Sequence, residues 1–181
     1  MENQTTSTKQ IALTYGLILG FVSIAFAVVL YAMGKHLDGG SLNTIGSLVI
    51  TIGIIVFGLR TFKIGNGGFL SLSEALKTGL AIVLIGTIIS LLYTYVFMTY
   101  VFMTYIEPDF MSQMMELQQQ KALEANPNLT DEQLEAMETI TKKFSSPMII
   151  MAVGLVWSLF IGFVISLIAG LIMKKAPEQD Y

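Results

Sequence analysis

Hydrophobic and polar positions divide the chain into four long apolar stretches separated by charged segments. The stretches without any charged residue are 10–34, 39–59, 78–106 and 144–173. Each reaches the roughly 20 apolar residues that an α-helix needs to cross about 30 Å of hydrocarbon. The pattern predicts an all-α integral membrane protein, a single membrane domain over 1–181 with four transmembrane helices in a bundle. The predicted spans are about 10–33, 41–59, 76–105 and 147–173.

The longest polar segment, residues 107–145, separates the third and fourth spans. Apolar residues recur in it at helical spacing up to Ala125, and Asn126-Pro127-Asn128 interrupts them. Thr130 with Gln133 then has the spacing of a capping box that opens a second helix. The segment is predicted to be a soluble, amphipathic helical hairpin. Its apolar faces either pack on each other or form a recognition surface.

The distribution of basic residues predicts the orientation in the membrane. One side of the predicted bundle would carry Lys9, Arg60, Lys63, Lys77, Lys174 and Lys175. The other would carry Lys35, Lys121, Lys142 and Lys143. Because basic residues are enriched in cytoplasmic loops, both termini are predicted to be cytoplasmic and the hairpin extracytoplasmic.

Small residues repeat at a spacing of four in the fourth span. They are Gly154, Ser158, Gly162, Ser166 and Gly170, and the first span has a shorter series with Gly16 and Gly20. Small residues at this spacing let two helix backbones approach closely in lipid. These faces are predicted to be helix-packing sites, either within one bundle or against a membrane-protein partner or a second copy of the chain.

Composition limits the chemistry that the chain can carry. Apolar residues make up 54% and charged residues 13%, against roughly 25% charged in ordinary soluble proteins, so lipid must solvate much of the chain. With no cysteine and one histidine, His36 beside Asp38, we predict no catalytic, cofactor-binding or metal-binding residue, no enzyme activity and no nucleic-acid partner. The spans contain no ionisable side chain in their cores, which argues against a proton-coupled pump.

Two alternatives to a purely structural role stay open. Arg60, Lys63 and Lys77 could bind a lipid headgroup at the cytoplasmic interface, although they could equally set topology, with Lys77 paired to Glu74. A small transporter or channel would need a polar path, for which Thr51, Ser90 and Tyr93 are the candidate lining residues.

Helix three contains an immediate repeat, Val-Phe-Met-Thr-Tyr at 96–100 and again at 101–105. In an α-helix, five residues add about 7.5 Å and about 140° of rotation, so the repeat would lengthen helix three as far as Ile106. Tyr95, Tyr100 and Tyr105 would lie near the outer interface, where tyrosine is favoured. The simplest interpretation is a duplication tolerated at a membrane exit.

Three stretches resemble a family of small four-helix inner-membrane proteins of unknown function found mainly in Bacteroidota. They are Thr14-Tyr15-Gly16 with Gly20, the segment 69–80, and the helix exit 105–110. The repeated pentapeptide departs from that family's pattern. The resemblance implies a multi-pass protein of a bacterial inner (cytoplasmic) membrane and no mechanism. We therefore predict a non-catalytic accessory or assembly protein whose partners are the lipid bilayer and another membrane protein or a second copy.

Overall fold

The computed structural model describes residues 7–35, 40–106, 108–144 and 146–176. Its helices are α1 (Thr8–Ala32), α2 (Ser41–Gly65), α3 (Leu72–Tyr93), a π-helix (Thr94–Ile106), α4 (Phe110–Ala125), α5 (Asp131–Phe144) and α6 (Pro147–Met173). Within these ranges, four helices are long and apolar enough to cross a membrane, namely Thr8–Ala32, Ser41–Gly65, Leu72–Phe97 and Met148–Met173. The all-helical prediction is thus confirmed for the described part. His36 and Asp38 lie outside the described residues.

The chain divides into two compact units. The first is Met1–Leu91 with Leu155–Tyr181, and the second is Leu92–Gly154. The first unit contains α1, α2, most of α3 and most of α6, which pack together and are called the bundle below. The second unit contains the π-helix and the α4–α5 hairpin.

Capping boxes form at the starts of α3 and α5, and the second confirms the box predicted from Thr130 and Gln133. Ser71 N donates to Glu74 Oε2 over 2.8 Å, and Glu74 N donates to Ser71 Oγ over 3.2 Å. Thr130 N donates to Gln133 Oε1 over 3.1 Å, and Gln133 N donates to Thr130 Oγ1 over 3.3 Å. Each box satisfies two backbone N–H groups that a helix start would otherwise leave without a partner. These caps fix the starts of α3 and α5.

The turn between α2 and α3 depends on two glycines. Gly67 and Gly68 have φ values of +66° and +87°, a backbone region that side-chain-bearing residues rarely adopt. This conformation lets Gly68 N donate to Lys63 O over 2.8 Å, which ends α2. Asn66 Nδ2 also donates to Phe69 O over 3.2 Å. The chain is thereby directed back toward the bundle at Leu70.

The bundle has a small aliphatic core and an apolar exterior. Ile55, Leu59 and Ile82 are completely buried. Large apolar side chains face outward on every helix of the bundle, and Phe21 and Trp157 are each 63% exposed. Contiguous exposed apolar surface of this kind marks a membrane or protein contact. Here it surrounds helices of membrane-spanning length, so lipid is its natural solvent.

Helix three differs from the prediction beyond Tyr93, because it continues to Ile106 as a π-helix and not as an α-helix. A π-helix forms hydrogen bonds between residues five apart, and five is also the length of the repeated pentapeptide. Tyr95 and Tyr100, which are five apart, meet edge to face with ring centroids 6.2 Å apart. Aromatic pairs in this arrangement attract each other, so this contact is compatible with the wider helix.

Candidate functional site

The helices α3 and α6 meet along a seam of small residues. A β-carbon built on Gly79 would lie 2.7 Å from Ser166 Cβ, and one built on Gly170 would lie 2.8 Å from Ala75 Cβ. One built on Gly162 would lie 2.7 Å from a methyl group of Val83. Each step of four along α3 is matched by a step of four backward along α6, so the helices run antiparallel. Only glycine permits this approach of the two backbones.

A second seam joins α1 to α3 in parallel orientation. A β-carbon on Gly16 would lie 2.7 Å from Ile85 Cβ, and one on Gly20 would lie 2.8 Å from Ile89 Cβ. From the other side, Leu19 Cγ lies 2.8 Å from the corresponding position on Gly86. The two helices thus interlock over two turns, and α3 contacts both α1 and α6.

The seams occupy most of the small residues that the spacing singled out. Gly16, Gly20, Gly162, Ser166 and Gly170 all contact the chain's own α3. Ser158 and Gly154, nearer the start of α6, are half-buried. Each of the first five therefore lies against another helix of the same chain.

Gly79, which makes the closest approach in the bundle, was not among the predicted packing residues. The sequence carries a signal for it, since Ala75 and Gly79 are also four residues apart. Side chains from facing helices fill the seam, and the Ser166 hydroxyl lies directly against Gly79. Ser166 and Thr78 are completely buried, and their hydroxyl oxygens have no hydrogen-bond partner among the described residues.

Two of the polar groups within the spans bond inside the bundle. The hydroxyls of Tyr15 on α1 and Thr61 on α2 are 2.6 Å apart. Thr51, a candidate lining residue for a transport path, donates through Oγ1 to Ser47 O over 2.8 Å. The first bond links two helices, and the second satisfies Thr51 within its own helix.

Of the residues predicted to bind a lipid headgroup, Lys63 is turned toward α6. Its ammonium group donates to Met173 O at the end of α6 over 2.7 Å. Arg60 and Lys77 are exposed. Glu74, expected to pair with Lys77, instead accepts from the backbone and hydroxyl of Ser71.

A backbone bridge brings further lysines to Lys63. Leu70 N donates to Lys175 O over 3.0 Å, and Lys175 N donates to Leu70 O over 2.9 Å. The Lys175 ammonium lies 5.8 Å from the centre of the Phe69 ring, close enough for a cation–π contact. We call Lys63, Phe69, Lys174 and Lys175 the basic corner. Sequence reasoning missed it because the bridge joins segments more than a hundred residues apart.

A family model described as "Protein of unknown function (DUF4199)" matches residues 14–175. The chain belongs to this family. The DUF4199 match begins within α1, covers the other three apolar helices and ends at Lys175, the bridge residue. No curated protein and no solved structure matches the chain. The DUF4199 description assigns no activity, so nothing in the match points to a specific function.

Proposed function

We propose that this DUF4199 protein is a non-catalytic accessory or assembly protein of a bacterial cytoplasmic membrane. Both termini are cytoplasmic, and the α4–α5 hairpin binds a basic extracytoplasmic segment of a membrane-protein partner. The observation that carries the proposal is an exposed apolar pair on α5, Met137 and Ile140, set in an acidic surface. The bacterial setting follows from the resemblance to inner-membrane proteins of Bacteroidota.

The hairpin packs on itself only in part. Met115 on α4 and Leu134 and Met137 on α5 line a small cleft of about 30 Å³ between the helices. Met137 is nevertheless 45% exposed, and Ile140, one turn further, is 57% exposed. Adaptable methionine contacts suit binding to a partner whose shape varies. The second unit therefore retains apolar surface after its own helices have paired.

Charge favours a basic partner over the bilayer surface. Acidic residues dominate the described hairpin: Asp109, Glu116, Glu124, Asp131, Glu132, Glu135 and Glu138. Amphipathic helices that lie on anionic membranes instead carry lysine and arginine on the polar face. Two copies of this hairpin would repel each other. A basic protein segment is complementary to it in charge.

The partner surface can be tested by photo-crosslinking in the native cell. A photoreactive residue at Ile140 should give a discrete protein adduct. One at Thr139, which lies about 100° around α5 from Ile140 and about 160° from Met137, should not. The captured protein should carry a basic extracytoplasmic segment, and Glu132→Lys with Glu135→Lys should reduce the yield because the attraction is electrostatic. Equal adducts from both positions, or lipid adducts alone, would overturn the proposal.

The orientation has an independent test. The chain contains no cysteine, so single cysteines can be introduced without background. Gln133→Cys in the hairpin should react with a membrane-impermeant maleimide added to intact cells with a permeable outer membrane. Ser73→Cys, at the start of α3, should react only after lysis. The reverse pattern would place the hairpin in the cytoplasm, and solute flux through liposomes containing the purified protein would support a transporter.

A further inference from the structure

We propose that the basic corner is a specific binding site for the phosphate group of an anionic lipid. It differs from the group predicted from sequence, because it includes Lys63 but adds Phe69, Lys174 and Lys175 in place of Arg60 and Lys77. The site requires neither a partner protein nor a particular orientation of the chain. It is therefore independent of the function proposed above.

The fold holds like charges together at the basic corner. Lys63 is fixed from α2 by its bond to Met173 O, and Lys175 is fixed by both hydrogen bonds of the backbone bridge. Lys174, between Met173 and Lys175 in sequence, is exposed. A lysine ammonium has three donors, and Lys63 uses one of them on Met173 O. Two donors of Lys63 are left for an anion.

No described carboxylate neutralises the basic corner. Among the residues that the structure describes, Lys63, Lys174 and Lys175 form no ion pair. Glu74, an acid on the nearby start of α3, is engaged by Ser71. Juxtaposed like charges repel unless an external anion offsets them.

The basic corner lies next to exposed apolar surface. The lysines follow directly after the last turn of α6, where Ile172 is 78% exposed, and Ile64 at the end of α2 is 69% exposed. An ammonium group one turn beyond exposed aliphatic side chains matches a phosphate headgroup attached to acyl chains. Free phosphate would make no use of this apolar surface. A lipid is therefore the better fit.

The test compares two variants that remove the same charge from the same end of the bundle. Lys174→Gln with Lys175→Gln alters the corner and leaves the backbone bridge and Lys63 in place. Lys9→Gln with Lys77→Gln is the matched control, since both lysines are exposed on helix starts outside the corner. The full chain in mild detergent is titrated with phosphatidylglycerol or phosphatidylcholine, and bound lipid is counted by native mass spectrometry.

We expect the wild-type chain to retain phosphatidylglycerol over phosphatidylcholine. The corner variant should lose about fivefold in affinity for each lysine removed, which is the effect of one basic group at an anionic surface. The control variant should lose less than twofold, and Lys174→Arg with Lys175→Arg should retain binding. Equal losses in the corner and control variants would show diffuse attraction and overturn the site.

Two further outcomes are decisive. Displacement of phosphatidylglycerol by an equal concentration of inorganic phosphate would show a site for free anions and refute the lipid assignment. The fluorescence of Trp157, the single tryptophan, reports whether each variant is folded. If the glutamine variant unfolds, Phe69→Leu replaces it, since that change removes the cation–π contact without removing charge. Unchanged lipid binding by both variants would also overturn the site.

Discussion

Gly79 is the position where the packing of α3 against α6 is most sensitive to one added methyl group. In Gly79→Ala the new β-carbon would lie 2.7 Å from Ser166 Cβ and closer still to the Ser166 hydroxyl. Rotating the hydroxyl relieves the second contact but leaves the first, because Cβ is fixed to the α6 backbone. Ser166 is completely buried, so the two helices must separate locally.

Two opposing effects set the size of the change. Forcing an extra methyl group into a filled core costs about 1–3 kcal/mol. Alanine is a better helix former than glycine by about 1 kcal/mol, which offsets part of that cost. Subtracting the gain from the cost leaves a net loss of stability of about 0–2 kcal/mol. For a chain of this size, that corresponds to a decrease in the melting temperature of up to about 8 °C, at about 2–4 °C per kcal/mol.

Gly53→Ala is the matched control. Gly53 lies inside α2, another membrane-length helix, and a β-carbon there would meet nothing within 4 Å. This variant receives the helix-propensity gain without the clash and should be neutral or slightly stabilised. Both variants can be followed through the fluorescence of the single tryptophan during thermal unfolding in one detergent.

The rescue experiment identifies the cause of the loss. In Gly79→Ala with Ser166→Gly, the added methyl group on α3 fills the space vacated on α6. The double variant should recover stability relative to Gly79→Ala, with a coupling energy of about 1–2 kcal/mol, within the range seen for residues in contact. The seam argument is refuted if Gly79→Ala melts like Gly53→Ala, or if Ser166→Gly fails to rescue it.

Three further predictions follow from the same contacts. Gly162→Leu should destabilise the bundle by more than Gly53→Leu in thermal unfolding. An unchanged melting temperature together with an unchanged oligomer size in detergent would contradict this prediction. Tyr15→Phe removes the hydrogen bond to Thr61 and should lower the free energy of unfolding by about 0.6 kcal/mol, the mean for an interhelical hydrogen bond in a membrane. A loss above about 2 kcal/mol would show that Tyr15 has a second role. Deleting residues 101–105 should leave the melting temperature within about 2 °C, because the core described by the structure lies in the other unit. Failure to obtain folded protein would contradict this.

The parts of the fold that depend on local chemistry could be predicted from the sequence. Helix count and approximate length follow from uncharged runs, because each helix satisfies its own backbone in lipid. The starts of α3 and α5 follow from capping boxes within four residues, at Ser71 and Thr130. These features need no information about which helices are neighbours.

The parts that depend on long-range contacts could not be predicted in the same way. A spacing of four along α6 identifies a face but does not identify the helix that covers it, so Gly79 was missed. The basic corner depends on a backbone bridge between Leu70 and Lys175. Grouping the basic residues by side of the membrane puts Lys63, Lys77 and Lys175 together but does not show which of them are neighbours. The predicted headgroup site therefore included Lys77 and not Lys175.

The position of the repeated pentapeptide explains why the bundle can accommodate it. α3 meets α6 and α1 between Ala75 and Ile89, and both seams depend on the register of side chains along that interval. Five residues inserted within the interval would rotate everything beyond them by about 140° and misalign both seams. The actual repeat begins at Val96 and the π-helix at Thr94, both past Ile89. Rotation introduced there reaches neither seam, so selection on bundle packing does not act against it.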